Sequence, residues 1–417
     1  MIRKITSDEL VSGSIILFIL FNAYNFINFI FHFSMARMLT ITDYGKVAAL
    51  FSIIYILGIF SESVQTIMTK YSSTEENPGK IKNLMKRGLK RAFIIALLVF
   101  FAYLVLMIFL SSQLKIEYLL LAITGLMIFS ALLTPINRGI MQGRKMFNKL
   151  GINLVVESTL KLSLAIIFVL IGWKVYGVMI AVVIAVVITF LFSFSQLKQI
   201  IKSKEVYMET PKIYQSGLFV FLIIIAITIF YSLDVIVARV LFSEEVAGYY
   251  AIASTLGKIV FWGTQPISKA MFTIAASNSK DKDKAWKTFK KSLKLLTLLL
   301  AIILPIFYFF PAFVVHLFSG KEVIESANIL FYVASAMGIL AFSNLILLYG
   351  LSIKKTENKF NKFLASIILN TILFVSLIAM EVIILFFSSS SLIHFSLGLL
   401  AASVIFLVGA LVKMVKK

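Results

Sequence analysis

Long apolar runs follow one another along the chain, separated by short polar breaks, and each run is near the length of a membrane-spanning helix. Twelve are predicted, near 11–36, 45–69, 92–112, 117–137, 150–172 and 175–197, then 214–238, 245–271, 292–317, 324–350, 363–387 and 391–412. About 20 predominantly apolar residues suffice to cross the hydrocarbon core as a helix. The first run, from Val11 to Ala36, exceeds the core of a signal peptide and is read as a retained helix.

The pattern repeats after half the chain. Ala36-Arg37-Met38-Leu39 is followed by Asp43-Tyr44-Gly45, and Ala238-Arg239-Val240-Leu241 by Ala247-Gly248-Tyr249. An ionisable residue, His32 or Asp234, precedes each arginine by five. A duplicated unit of six spans enters the membrane twice from the same side, so its halves are related by an axis along the membrane normal. The expected fold is all-α and polytopic, with about 12 transmembrane helices in two six-helix bundles related by pseudo-two-fold symmetry. Residues 1–205 form the expected amino-terminal lobe and 206–417 the carboxy-terminal lobe, with the binding space between them.

Composition agrees: 60% of residues are hydrophobic and mean hydropathy is +0.99, beyond what a soluble domain hides in one core. The absence of cysteine removes disulfide and thiol chemistry. The net charge of +21 is explained by where it falls. Of the 40 Lys and Arg, 32 lie at the termini and in alternate loops, and only five (Arg37, Lys115, Lys174, Arg239, Lys321) on the other side. The positive-inside rule then makes this a multi-pass protein of the cytoplasmic membrane with both termini cytoplasmic, and no nucleic-acid role is expected. Two Lys-rich breaks, Tyr71 to Arg91 and Ala275 to Lys291, occupy corresponding places in the halves. They are expected to be surface helices or hinges on anionic headgroups.

Enzyme chemistry finds little footing. His32, His316 and His394 are far apart, no zinc-ligand spacing or phosphate loop is present, and Glu75-Glu76 and Asp281-Lys282-Asp283 sit among surface lysines. No catalytic residue, metal site or cofactor is expected. Polar residues within spans are a different matter, because a charge at a helix centre costs about 2.5–3.5 kcal/mol to insert. Asn22, Asn25, Asn28 and His32 line one stripe of the first span. They serve either as glue between helices or as partners for sugar hydroxyls.

Glu157 and Lys161, four apart, are either an internal ion pair or part of a substrate and coupling site. Lys46 is expected to snorkel. Glu62 and Lys258 are candidates for an aqueous lining, Glu381 has no partner nearby in sequence, and Glu62 corresponds to Gln265 beside Pro266. Arg37 and Arg239 either anchor helix ends, with Asp43 and Asp234 as local partners, or offer planar forks to a diphosphate.

The motif Ala36-Arg37-Met38-Leu39-x-x-x-Asp43-Tyr44-Gly45 resembles the signature after the first helix of polysaccharide-export flippases of the multidrug/oligosaccharidyl-lipid/polysaccharide exporter superfamily. Leu233-Asp234 with Ala238-Arg239 and Glu244-Glu245-x-x-Gly248-x-Tyr250 is similar to that family's seventh-helix pattern. Arg138-Gly139-x-x-Gln142-Gly143-x-x-x-Phe147 is similar to its pattern at the end of the fourth helix. The resemblance implies a V-shaped pair of bundles rocking around a central cavity, which flips a lipid-diphosphate-linked oligosaccharide to the outer leaflet. Arg37, Arg239, Asn22, Asn25, Asn28, His32, Lys161 and Lys258 are then the expected substrate contacts, and Glu62, Asp234 and Glu157 the sites for a coupling cation or proton.

The expected partners are that substrate, membrane lipids, and the glycosyltransferases and polymerase of a glycan pathway, with the protein itself a monomer. Peptidoglycan-lipid flippases carry helices beyond twelve, which this chain lacks. A drug/cation antiporter of the same superfamily and a non-transporting scaffold of a glycan-assembly complex stay open.

Overall fold

The computed structural model describes residues 7–209, 215–277, 281–353 and 360–415. Among the described residues fifteen helices run in the order α1 (Ser7–Met38), α2 (Ile41–Thr74), α3 (Pro78–Leu114), α4 (Tyr118–Gly125), α5 (Met127–Gly143), α6 (Phe147–Leu170), α7 (Lys174–Gln196) and α8 (Lys198–Lys202). They continue with α9 (Gln215–Leu241), α10 (Glu244–Ser277), α11 (Lys282–Phe309), α12 (Pro311–Ser319), α13 (Ile324–Ser352), α14 (Phe360–Phe387) and α15 (Leu392–Val415).

The twelve expected spans correspond to α1, α2, α3, α4 with α5, α6, α7, α9, α10, α11, α13, α14 and α15. Ten of these segments, all but α1 and α10, are long and apolar enough among the described residues to cross a membrane. The multi-pass reading therefore stands. Arg3, Lys4, Lys212, Lys280, Lys354, Lys355, Lys359, Lys416 and Lys417 of the charge pattern lie outside the described residues.

The two Lys-rich breaks are shorter than the sequence suggests. Only residues 75–77 separate α2 from α3, because Asn77 caps the new helix by accepting from the Gly79 amide at 2.8 Å, with Pro78 in the first turn. Capping by Asn and a following Pro start helices efficiently. The first turns of α3 are amphipathic: Ile81, Leu84 and Met85 enter a core with Met68, Ile136, Ile140 and Leu197. The lysines occupy the other face. In the second half α10 runs to Ser277 and α11 starts at Lys282, capped by Asp281.

The fourth span is also two pieces, with a break at Leu126 and Pro135 inside α5. Proline removes a ladder donor and crowds the preceding turn, so such helices bend or stop.

Contacts gather the helices into two compact units: Met1–Leu39 with Ile53–Ile213, and Thr40–Ser52 with Tyr214–Lys417. The lobes expected from sequence divide at 205/206 and assign all of α2 to the first. In the second unit the start of α2 meets α10 at two glycines. A Cβ on Gly45 would stand 2.8 Å from the Gly248 Cα, and one on Gly248 would stand 2.5 Å from the Ile41 carbonyl oxygen. Only hydrogen fits there, which accounts for a glycine in both motif copies. Tyr44 donates to Thr255 Oγ1 at 3.0 Å beside this crossing.

The centre of the second unit is α13, which packs on α9, α10, α11 and α15. Of its most apolar window 72% is buried, against 17% for α3.

Candidate functional site

The polar side chains within the spans gather into hydrogen-bonded and ion-paired clusters in each unit. In the first unit Arg138, from α5, donates through Nη2 to Glu157 Oε2 at 2.6 Å and through Nε to Asn153 Oδ1 at 2.9 Å. Thr189 of α7 donates to the same Glu157 oxygen at 3.3 Å. Asn153 passes the chain on to Gln196 Oε1 at 3.1 Å and to the Thr189 carbonyl at 3.0 Å. Three helices are thereby tied by a charge-assisted pair with few unmade bonds, the condition under which a buried ion pair is tolerated.

Glu157 therefore takes Arg138, and the expected pairing with Lys161 gives way to it. The planar guanidinium from a neighbouring helix reaches the carboxylate through Nη2 while its Nε bonds Asn153, whereas the ammonium one turn away bonds Asn28. Lys161 donates instead to Asn28 Oδ1 of α1 and lies 4.5 Å from the Phe31 ring centre. Asn28 in turn donates to the Tyr24 carbonyl at 2.8 Å. His32 is buried, with Nε2 3.2 Å from the Tyr55 hydroxyl. Asn22 and Asn25 are exposed, so the polar stripe of α1 grades from open amides to a buried imidazole.

The Arg138-Gly139-x-x-Gln142-Gly143 motif has a physical explanation in this unit. A Cβ on Gly139 would stand 2.6 Å from the Gln65 carbonyl oxygen, and Gln142 accepts from Gln65 Nε2 at 2.8 Å and Thr69 Oγ1 at 3.3 Å. The glycines let α5 touch the α2 backbone, and the glutamine satisfies the polar groups that this approach buries. Glu62, expected in an aqueous lining, is exposed on α2.

In the second unit Asp234 is fully buried. Its Oδ1 is 3.0 Å from Lys258 Nζ, and its Oδ2 accepts from Tyr250 at 3.2 Å and Ser254 at 2.5 Å. Lys258, expected to line an aqueous space, is thus a buried counter-ion with its side chain 5% exposed. Glu381 of α14 is fully buried and electrostatically coupled to both Asp234 and Lys258.

Arg239 is also buried. It donates to Glu244 Oε2 at 2.9 Å and to the Glu244 carbonyl at 3.3 Å. Asp234 is not its partner, because five residues on a helix turn the side chain by about 140° away. Lys46, expected to snorkel, approaches the same Glu244 carboxylate at 3.6 Å with its side chain 14% exposed. The fork of Arg239 is thereby used in holding the α9–α10 corner. Arg37, by contrast, is exposed, with its guanidinium 4.5 Å from the centre of the Phe33 ring. Gln265 accepts from Asn344 at 3.4 Å.

Outside the spans the linker after α8 is strapped to the start of α3. Lys82 donates to the Ser203 carbonyl at 2.8 Å, Arg87 to that of Met208 at 2.9 Å, and Lys86 and Asn83 to the Glu205 carboxylate at 2.6 and 2.9 Å. The Lys86 and Asn83 bonds hold the Glu205 carboxyl below the usual carboxylate range. The Asn77 amide does the same for Glu75.

Sequence reasoning singled out Lys161, Asn28, Asp234 and Lys258 as candidate site residues, with other partners than the structure gives them. It passed over Asn153, Thr189 and Gln196, whose only signal is their polarity inside apolar runs. It noted Glu381 without assigning it, since its neighbours come from helices more than 120 residues earlier.

A family model described as polysaccharide biosynthesis protein matches residues 34–328. No curated protein sequence matches the chain. Solved structures with a similar fold include an inward-facing multidrug resistance MATE family transporter of the MOP superfamily. It is 14% identical with a TM-score of 0.73, over 94% of this chain and 93% of that one. An outward-facing MATE family transporter gives 16% identity and a TM-score of 0.62, over 98% and 94%. A MOP superfamily transporter from Pyrococcus furiosus, for which a reverse polarity of the binding pocket suggests a different function, gives 15% and 0.58 over the same shares. At these identities the likeness concerns the fold, that of two six-helix bundles.

Proposed function

Since the chain belongs to the polysaccharide biosynthesis protein family and has the fold of MOP superfamily transporters, we propose that it flips a lipid-diphosphate-linked oligosaccharide across the cytoplasmic membrane by alternating access. The termini are cytoplasmic in this reading, the direction is from the inner to the outer leaflet, and the chain acts as a transporter without catalysis. The glycosyltransferases and polymerase of a glycan pathway supply and consume the substrate, and the protein works as a monomer.

The observation that carries the reading is the meeting of Lys161 with the amide stripe of α1 through Asn28. An ammonium beside side-chain amides offers a cation for phosphate oxygens and donors and acceptors for hydroxyls. Such a headgroup cannot cross hydrocarbon unaided because its polar groups would lose their water. Exposed Asn22, Asn25 and Arg37 extend the same chemistry along α1. Arg239 and Lys258 contribute through the packing of the second unit, since their charges are already answered by Glu244 and Asp234.

Depletion of the protein is expected to accumulate polyprenyl-linked sugar on the cytoplasmic leaflet. Lys161→Ala at normal expression should reproduce the block, with flipping reduced about tenfold or more, the equivalent of about 1.4 kcal/mol. Lys161→Arg should restore part of it. Normal flipping in Lys161→Ala would refute the assignment of that residue. Drug efflux with no effect on lipid-linked sugar would favour the antiporter reading.

A further inference from the structure

Among the buried charges of the described residues, the carboxylate of Glu381 stands apart. It is fully buried on α14, and among the described residues neither of its oxygens accepts a hydrogen bond. The donors nearby are committed to another group: Lys258, Tyr250 and Ser254 all address Asp234. Two carboxylates thus share one ammonium inside membrane helices. With both acids ionised the cluster would hold one excess negative charge, at a desolvation cost of several kcal/mol for an unpaired ion. Buried groups in this position neutralise themselves by binding a proton.

Among the described residues nothing else nearby supplies the missing charge. Helix α14 packs on α9 and α15. On α9 the charged residues are Asp234 and Arg239, and the latter is held by Glu244. On α15 the one ionisable residue with a described side chain is His394, in the first turn beside Ser390 and Ser391. On α10 Lys258 faces Asp234, and Tyr250 is neutral as a donor to it. A metal cation is disfavoured on composition. No group of three or more metal-ligating side chains exists among the described residues, and Lys258 already occupies the cationic position against Asp234.

We infer that Glu381 carries an exchangeable proton and that Asp234, Lys258 and Glu381 form a one-proton binding site within the second unit. Uptake places the proton on a Glu381 oxygen and takes the cluster from one net negative charge to none. Release restores the carboxylate next to Lys258, which the two acids then compete to hold. The site deepens the proposed transport by naming its driving ion as a proton, and it rests on that reading for its use but not for its occupancy.

The test is infrared difference spectroscopy of the full chain in lipid nanodiscs, titrated from acid to alkaline pH. The wild type should show the C=O stretch of a protonated carboxylic acid in a buried site. Glu381→Gln should lose it, and Glu381→Asp should keep it at a shifted frequency. Because an amide replaces a neutral acid, Glu381→Gln should unfold at the wild-type temperature. Replacing potassium by sodium should change neither readout. A band that survives in Glu381→Gln would overturn the inference, as would its absence in the wild type together with a destabilised Glu381→Gln. Abolition of the band by sodium would also overturn it, in favour of a metal cation. Protein that shows the titrating band yet fails to flip lipid-linked sugar would retain the proton site and lose the transport reading.

Discussion

The two units bury charge in opposite ways. In the first, Glu157 is paired with Arg138, and a second cation, Lys161, is accommodated by an amide oxygen and an aromatic ring. In the second, Asp234 and Glu381 face a single ammonium, Lys258, and the surplus carboxylate has no hydrogen-bond donor among the described residues. The six-helix plan occurs twice, and the buried clusters within it carry surplus charge of opposite sign. A net-positive network suits a phosphate-bearing headgroup. A net-negative one suits a proton. In the proposed function the asymmetry would separate tasks, with substrate contacts in the first unit and the proton in the second.

The contrast breaks most visibly by removing Lys258, the ammonium paired with Asp234 in the second unit. Lys258→Ala should cost about 3–5 kcal/mol by stranding Asp234, read as a large drop in the thermal unfolding midpoint in detergent. Adding Asp234→Asn should recover most of that loss. If the double variant is as unstable as the single one, the ammonium packs rather than neutralises.

In the first unit, Arg138→Ala should cost somewhat less, about 2–3 kcal/mol, because both partners are 12–15% exposed and partly solvated. Glu157→Gln should be milder than Arg138→Ala, since the amide still accepts from Arg138. Equal losses in the two variants would show that the network is not organised around the ion pair.

Next comes the helix contact beneath the Arg138 motif. Gly139→Leu should cost about 1–3 kcal/mol by forcing α5 off the α2 backbone, measured by the same unfolding curve. An unchanged midpoint would mean that the close approach yields without strain.

The smallest effect is expected at the strap. The lowered Glu205 carboxyl contributes stability that is present above its unfolded value, near pH 4.3 for a free glutamate, and is lost as pH falls through the folded value. Glu205 is exposed at the surface, so the change should be local. Acidification, or Glu205→Gln at neutral pH, should raise hydrogen exchange over residues 203–209 while the unfolding midpoint stays in place. Faster exchange throughout the first unit would instead make the strap part of its core.

Much of this architecture was legible in one dimension, because lipid as a solvent imposes its demand on every span separately. Hydropathy located α2, α6, α7, α13 and α15 within about five residues, and an ionisable residue five before an arginine in both halves exposed the duplication. The Lys-rich breaks misled on length, since the lysines of α3 occupy one face of a helix whose other face is core. Local spacing also misled on pairing: Glu157 with Lys161, and Arg239 with Asp234, are neighbours in sequence whose real partners are Arg138 and Glu244.

The amino-acid sequence by itself determined that this is an all-helical, duplicated membrane protein with scarce polar residues inside its spans. Those properties follow from composition and period, which need no knowledge of neighbours. Only the tertiary structure decided which carboxylate each cation answers, which arginine is buried, and that Glu381 of α14 lies with Asp234 and Lys258 of helices far earlier in the chain. Electrostatic pairing acts over a few ångströms in space, and the helices that provide it are brought together by packing that a linear spacing does not encode.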